Sequence, residues 1–168
     1  MARVLVVEDD PTVAKAVTAC LQLDQHEVRT ATDLPSGVEQ LRQAPADLIL
    51  TDLFVHTFSS EAFADLAPLA EVAPSTPIVV TTAHPQAAAH DPALYGFAGI
   101  ILKPFAPHDL RAFVQALLAE QRQRLSSLEA HAEQAWDQIR SAQQHIGESR
   151  ELLRRVEPPA QPLPPDAA

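Results

Sequence analysis

Several residue types on which common functional sites depend are rare in this chain. Its 168 residues include one cysteine and four glycines, and aromatic side chains make up 5% of the sequence. The single cysteine, Cys20, excludes a disulfide framework and a multi-cysteine zinc site, and we expect it to be a small core residue of the first helix. So few glycines exclude a glycine-rich phosphate loop. Hydrophobic residues nevertheless reach 46%, so aliphatic side chains can fill a sizeable core.

Positive charge and long apolar runs are also scarce. The formal net charge is -10 and the pI is about 5.0, which argues against a large binding surface for nucleic acid or anionic membrane. The first apolar run, Val4 to Val7, is followed at once by Glu8, Asp9 and Asp10. That run is too short for a signal peptide or a membrane span. We therefore expect a cytoplasmic protein with no nucleic-acid and no membrane partner.

Short apolar runs alternate with helix-like stretches over the first two thirds of the chain. The runs predict strands at residues 3–7, 27–30, 47–51, 77–81 and 99–102. The stretches between them predict helices beginning at Pro11, over 36–43, over 60–69 and, more weakly, over 86–95. Strands separated by helices indicate βαβ units and hence an α/β fold with a parallel sheet. In such a sheet the functional site lies at the carboxyl ends of the strands.

Acids, hydroxyls and one lysine follow these predicted strands. Glu8 and Asp9 come after the first strand, Asp52 after the third, Thr82 after the fourth and Lys103 after the fifth. Carboxylates brought together at one edge repel each other unless a counter-charge is present. Mg²⁺ binds oxygen ligands of this kind together with phosphate, and a lysine can bind a phosphoryl group. The pattern predicts a site for Mg²⁺ and phosphoryl chemistry.

Four segments that carry these residues resemble the receiver domain of two-component response regulators. They are Val-Leu-Val-Val-Glu-Asp-Asp-Pro at 4–11, Asp-Leu-Ile-Leu-Thr-Asp-Leu at 47–53, Val-Val-Thr-Thr-Ala at 79–83 and Leu-Lys-Pro-Phe at 102–105. The resemblance covers residues 2–118, roughly two thirds of the chain. It implies a doubly wound, five-stranded parallel sheet of strand order 2-1-3-4-5.

The resemblance also implies a role for each matched residue. Asp52 would be the phosphoacceptor, Thr82 the switch hydroxyl and Lys103 the phosphate-binding lysine. Mg²⁺ would be held by Glu8, Asp9, Asp52 and the backbone carbonyl of Phe54, with Asp9 a direct ligand and Glu8 acting through water. A phosphoryl group would pass from a phospho-histidine to Asp52, a reaction that depends on alignment and charge neutralisation. The chain would then be a signalling protein capable of self-phosphorylation and autodephosphorylation, and not an enzyme with a separate substrate.

Two positions depart from the family pattern. The loop after Asp52 usually contains Met-Pro and Asp-Gly, whereas here Leu53 to Ser60 has neither proline nor glycine and includes His56. His56 is either an ordinary exposed histidine or a residue that tunes access and autodephosphorylation. Three residues before Lys103, where the family often has a tyrosine or phenylalanine that moves with the threonine, the chain has Ile100. The departure brings the usual coupling between threonine and aromatic residue into question.

The last third of the chain predicts one long helix and a tail. Residues 108–157 contain no proline and are rich in good helix formers. Heptad a and d positions fall on Leu118, Gln121, Leu125, Leu128, Ala132, Ala135, Ile139, Ala142, Ile146, Ser149, Leu153 and Val156. Such a sustained apolar stripe favours a coiled coil, with a helical hairpin broken near Gly147 as the alternative. We thus expect a receiver domain at 1–120, a helical extension at 121–157 and a disordered proline-rich tail at 158–168.

Together these observations predict a response regulator without a DNA-binding output domain. Its partners would be a histidine kinase or phosphotransfer protein, a downstream protein, and a second copy of the chain bound through the C-terminal helix. Two alternatives remain open from sequence. One is a pseudo-receiver that never carries phosphate, and the other is a scaffold whose coiled coil is its main functional part.

Overall fold

The sheet has the predicted parallel arrangement. The structure, a computed structural model, describes residues 1–156. The tail expected at 158–168 lies outside the described residues. The strands are β1 Arg3–Val7, β2 Glu27–Ala31, β3 Leu48–Asp52, β4 Ile78–Thr82 and β5 Gly99–Leu102. All neighbours are parallel and the order is β2-β1-β3-β4-β5, which confirms the predicted fold class.

Within residues 1–156, four α-helices accompany the sheet: α1 Pro11–Gln22, α2 Leu34–Gln43, α3 Ala67–Val72 and α4 Pro107–Val156. Helix α1 begins as predicted, because Asp10 caps it. The Asp10 Oδ1 atom accepts hydrogen bonds from the backbone N–H groups of Thr12 at 2.7 Å and Val13 at 3.3 Å. These bonds satisfy amides that the first helical turn leaves without partners. Asp10 is therefore a capping residue, as distinct from the two acids that precede it.

The predicted α-helix over Ser60–Leu69 is wrong in its first part. Residues Ser60–Leu66 form a 3-10 helix, and the α-helix starts only at Ala67. Pro68 explains the change, because it has no N–H to donate to a carbonyl four residues earlier. It is tolerated in the first turn of α3, where that N–H would have no helical partner.

The weak helix expected over 86–95 is also wrong. Two 3-10 turns, Pro85–Ala89 and Pro92–Tyr95, replace it. Pro92 disfavours the helical conformation for the residue before it, and Asp91 accordingly has an extended backbone with φ -73° and ψ 114°. Gly96 then adopts φ 76° and closes the second turn. The connection from β4 to β5 consequently contains no α-helix.

Apolar side chains fill both faces of the sheet. On one face, alternate residues of β1 and β3 pack with α1 and with the first part of α4, which contributes Leu110, Val114 and Leu118. The opposite face packs with α2, the 60–66 turn and α3. Cys20 is buried in the first of these clusters, which confirms the expected core position. Burial on both faces accounts for the nearly continuous apolar composition of the central strands.

The chain divides into two units, Met1–Gln121 and Arg122–Ala168. The described part of the second unit is one stretch of α4, which remains helical through Gly147. The alternative of a hairpin broken at Gly147 is therefore wrong. Among residues 1–156, no helix has the length and apolar character needed to cross a bilayer.

Candidate functional site

Strand register brings the predicted site residues to one edge of the sheet. Val7, the last residue of β1, pairs with Thr51, and Asp52, the last residue of β3, pairs with Thr81. Thr82 at the end of β4 pairs with Leu102 of β5. The residues that immediately follow these strands therefore share the carboxyl edge, as expected for a parallel sheet.

Three carboxylates form a compact cluster at this edge. Glu8, Asp9 and Asp52 each offer an oxygen atom, and these atoms all lie within 4.8 Å of one another. Glu8 is almost fully buried, at 4% exposure, whereas Asp9 is exposed and Asp52 is intermediate. The cluster thus combines an acid shielded from water with two that solvent can reach.

Lys103 provides the counter-charge for this cluster. Its Nζ atom lies 2.7 Å from Glu8 Oε2 and 3.1 Å from Asp52 Oδ1. The lysine side chain is 17% exposed, so the pair with Glu8 is only weakly screened by solvent. Asp52 Oδ1 also accepts a hydrogen bond from the backbone N–H of Leu53 at 2.8 Å. One ammonium therefore connects the first and third strands through their carboxylates.

Burial raises the pKa of Glu8, and the nearby Asp52 carboxylate raises it further, while the Lys103 ammonium partly offsets both effects. The cause is the cost of keeping a charge in a region of low polarity. Three acids face one lysine here, so negative charge is in excess. Hard oxygen donors with excess negative charge suit Mg²⁺, and the three carboxylates fit that ion. Asp9 and Asp52 are the solvent-accessible members from which such an ion could complete its shell with water.

Thr82 is fully buried at the end of β4. Its carbonyl accepts a hydrogen bond from the backbone N–H of Lys103 at 2.7 Å. Its Oγ1 atom accepts one from the backbone N–H of His84 at 3.1 Å. The threonine predicted as a switch is thus bonded both to the site lysine and to a residue that sequence reasoning missed. No sequence signal singled out His84, because its importance depends on a contact with a distant segment.

The remaining predicted positions lie in different surroundings. Phe54 is half-buried and packs against the core cluster on the α2 face, and its carbonyl as a metal ligand stays a prediction. Ile100 packs against the same cluster and is also half-buried. His56 is exposed and is not among the three residues of the carboxylate cluster.

Within the second unit, helix α4 exposes large apolar side chains at predicted heptad positions. Leu125, Leu128, Ile139, Ile146 and Leu153 are between 47% and 65% exposed. Trp136 and Leu152, which are off the a and d positions, are exposed as well. Isolated exposed apolar residues are ordinary on a surface, whereas these side chains recur at the a and d spacing that a coiled coil requires.

Three comparisons with known proteins agree on the family and the fold. A family model described as a response regulator receiver domain matches residues 4–115. The chain is 32% identical over 118 residues to the sensor histidine kinase TmoS of Ectopseudomonas mendocina, covering 70% of this chain and 12% of TmoS. It is 30% identical over 120 residues to protein PilH of Pseudomonas aeruginosa, covering 71% of this chain and 99% of PilH.

Solved structures show the same fold. A crystal structure of a CheY-like receiver domain from Methanospirillum hungatei has a TM-score of 0.62 with 20% identity, and the match covers 74% of this chain and 98% of that one. At this identity the likeness concerns the fold alone. The chain matches nearly all of PilH but only 12% of TmoS, so the kinase likeness concerns one portion of that protein.

Proposed function

The chain belongs to the response regulator receiver family, and from that premise we propose that Asp52 accepts a phosphoryl group from a phospho-histidine. The donor would be a histidine kinase or a phosphotransfer protein, and the output would be contact with another protein. The observation that carries the proposal is the group of three carboxylates within 4.8 Å together with Lys103 bonded to both Glu8 and Asp52. A cytoplasmic location forms part of the same proposal.

The chemistry assigned to these residues is transfer of one phosphoryl group. An Asp52 oxygen forms a bond to phosphorus while the bond from phosphorus to the histidine nitrogen breaks. Lys103 Nζ, already 3.1 Å from Asp52 Oδ1, offsets negative charge on the transferred group. Glu8, Asp9, Asp52 and the Phe54 carbonyl would hold Mg²⁺, which supplies further charge neutralisation when bound. Thr82 would donate its hydroxyl to a phosphoryl oxygen.

Intact mass spectrometry tests this proposal directly. The protein is incubated with Mg²⁺ and acetyl phosphate, and we expect a single phosphoryl adduct. Asp52→Asn should abolish the adduct, because an amide oxygen is too weak a nucleophile. Asp65→Asn, which changes an exposed acid on the 60–66 turn, is the matched control and should retain it. Absence of an adduct in the unmodified protein, or its persistence in Asp52→Asn, would contradict the assignment.

For the second unit, we propose that α4 pairs with a second copy of the chain. Support comes from the exposed apolar side chains at heptad positions, which resemble a coiled-coil face. A dimer formed there would place two receivers on one assembly, and phosphorylation would then act on how that assembly binds a downstream protein. The phosphoryl proposal at Asp52 does not depend on this pairing.

A second candidate function is a scaffold in which self-association through α4 is the main activity. The observation in its favour is the same apolar stripe, which continues from Leu125 to Leu153. The two candidates differ in their dependence on Asp52. A scaffold should keep its partner in Asp52→Asn, whereas a phosphorylation-controlled regulator should lose the response of partner binding to acetyl phosphate.

A further inference from the structure

A group of aromatic and histidine rings joins the atypical loop after Asp52 to the two 3-10 turns between β4 and β5. Phe58 comes from the loop after Asp52, and His90 and Tyr95 come from the two 3-10 turns between β4 and β5. We call the following set the ring cluster: Phe58, Phe63, His90, Tyr95 and Phe97. Its closest ring centroids are those of Phe63 and Tyr95, 4.6 Å apart.

His84 connects this cluster to the site through two hydrogen bonds. Its backbone N–H donates to Thr82 Oγ1 at 3.1 Å. Its ring Nε2 lies 2.9 Å from the backbone carbonyl of Val55. A carbonyl can only accept, so Nε2 must carry the proton in this bond. His84 thus holds the switch threonine with its backbone and the loop after the phosphoacceptor with its side chain.

The ring of His84 also faces the cluster. Its centroid lies 6.2 Å from that of Phe58. Phe58 in turn lies 5.5 Å from Phe63 and 5.4 Å from His90. Tyr95 continues the contact, with its hydroxyl 3.2 Å from His90 Nδ1. A continuous series of contacts therefore runs from Thr82 through His84 and Phe58 to Tyr95.

We propose that His84 is a positioning residue that couples the Thr82 hydroxyl to the loop at 53–58 and, through Phe58, to the ring cluster. This inference rests on the proposed phosphorylation of Asp52. When the Thr82 hydroxyl turns toward a phosphoryl oxygen, its hydrogen bond from the His84 backbone N–H either lengthens or is kept because His84 moves with it. The Val55 carbonyl and the Phe58 ring then move with His84. This displacement passes through the rings to the segment that connects β4 to β5.

Ile100 supports this route because it has no aromatic ring that could move with the threonine. It occupies the position where an aromatic residue could move with the threonine, but an aliphatic side chain has no polar group to bond to a neighbour. The atypical loop supplies aromatic rings instead, and the short turns at 85–95 place further rings against them. A tightly packed cluster transmits small displacements because it has little free volume to absorb them.

The chain offers a single spectroscopic reporter for this coupling. It contains one tyrosine, and Tyr95 is a member of the ring cluster, so incorporation of 3-fluorotyrosine gives one ¹⁹F signal. The full chain is compared with and without Mg²⁺ and excess acetyl phosphate, and the adduct is followed by intact mass in the same samples. We expect a ¹⁹F shift larger than the line width when the adduct forms.

Three variants test whether His84 carries the effect. His84→Leu removes the bond to Val55 and should abolish the shift while the adduct still forms. His84→Gln keeps an N–H donor near the Nε2 position and should restore the shift. His56→Leu makes the same substitution at an exposed histidine of the loop after Asp52 and should leave the shift unchanged. An unchanged shift in His84→Leu overturns the inference.

The other outcomes are also decisive. An adduct in the unmodified protein with no ¹⁹F shift overturns the coupling but leaves phosphorylation of Asp52 intact. Absence of the adduct overturns both, and the mass measurement identifies this case. If His84→Leu does not fold, Phe58→Leu replaces it, because it removes the ring that links His84 to the cluster. A shift that persists in folded Phe58→Leu overturns the route.

Discussion

The two units of the chain differ in the burial of their large apolar residues. In residues 1–121 the large aliphatic side chains of the central strands β1, β3 and β4 are buried, including Leu5, Ile49 and Leu50. In residues 122–156 their counterparts are exposed, with Leu128 at 64% and Leu153 at 65%. Burying one such side chain contributes about 1.5–3 kcal/mol. The first unit obtains that stabilisation from its own core. The named side chains of the second unit are exposed, and we expect them to gain it in the proposed pairing with a second copy.

The two units therefore differ in the kind of functional feature that they carry. The receiver unit places its charged groups at one edge by means of a complete core and a fixed strand register. The helical unit has no site of that kind among its described residues and offers a repeated face instead. We therefore expect chemistry to be controlled in the first unit and assembly in the second, and changes in each unit should affect only its own property.

The largest effect should follow from charges placed on the apolar stripe of α4. The double variant Leu128→Glu with Ile139→Glu should convert a dimer to a monomer, because the carboxylates would be buried unpaired in the interface. Mass in solution, measured by light scattering, checks this. The adduct at Asp52 should form as before.

Its control places the same charges away from the stripe. Gln123→Glu with Ala130→Glu alters two exposed positions of the same helix that lie outside the a and d pattern, and the dimer should persist. A monomeric unmodified chain, or a monomer produced equally by the control, would refute assembly through this face.

A smaller but clear effect is expected at the single ammonium of the site. Lys103→Ala leaves the buried Glu8 carboxylate and Asp52 without their cation, and we expect the free energy of unfolding to fall by about 3 kcal/mol. Added Mg²⁺ should recover part of the loss, because the carboxylates regain a counter-charge. Urea unfolding with and without Mg²⁺ measures both values.

Lys15→Ala provides the matched control for that experiment. Lys15 is exposed on α1, and it is the only other lysine of the chain. Its replacement should change stability by no more than about 0.5 kcal/mol. An equal decrease in the free energy of unfolding in the two variants would show that the contacts of Lys103 with Glu8 and Asp52 do not stabilise the fold.

The smallest expected effect is a pH dependence of Mg²⁺ binding. Burial raises the pKa of Glu8, so this carboxyl begins to take up a proton above the ordinary glutamate value of about 4.3. Mg²⁺ affinity should be full above the raised pKa and should decline as the pH falls through it. The stability of the metal-free protein has the opposite dependence, because protonated Glu8 favours the fold below the ordinary pKa and this contribution is lost as the pH rises through the raised one.

Calorimetric titration with Mg²⁺ at several pH values between 5 and 8 measures this dependence. Glu8→Gln should flatten it, because the titrating group is removed, while Glu61→Gln, which alters an exposed acid, should retain it. The same pH dependence in Glu8→Gln would assign the effect to another carboxylate of the cluster.

Much of the fold was predictable because its signals are local. The strands begin and end within one residue of the apolar runs, and Asp10 followed by Pro11 marks the start of α1. The errors have local causes as well. Pro68 and Pro92 interrupt α-helical hydrogen bonding, so the helices expected over 60–69 and 86–95 became 3-10 segments in part or in full.

The candidate site was predictable in its members but not in its interactions. Glu8, Asp9, Asp52 and Lys103 are found at strand ends, and parallel strands bring such ends together. The sequence could not show that Glu8 is nearly buried or that Lys103 lies 2.7 Å from it. These properties depend on how elements 95 residues apart in the chain pack together.

By itself, the sequence determined the alternation of strands and helices, the acids and lysine that follow the strands, and the apolar stripe of the long helix. Each is a periodicity or a local preference, which the order of residues expresses directly. Only the tertiary structure decided the burial of Glu8, the contact of His84 with Val55 and the ring cluster around Phe58. Such contacts join segments that are distant in the chain, and their energies depend on distance and burial that no local pattern contains.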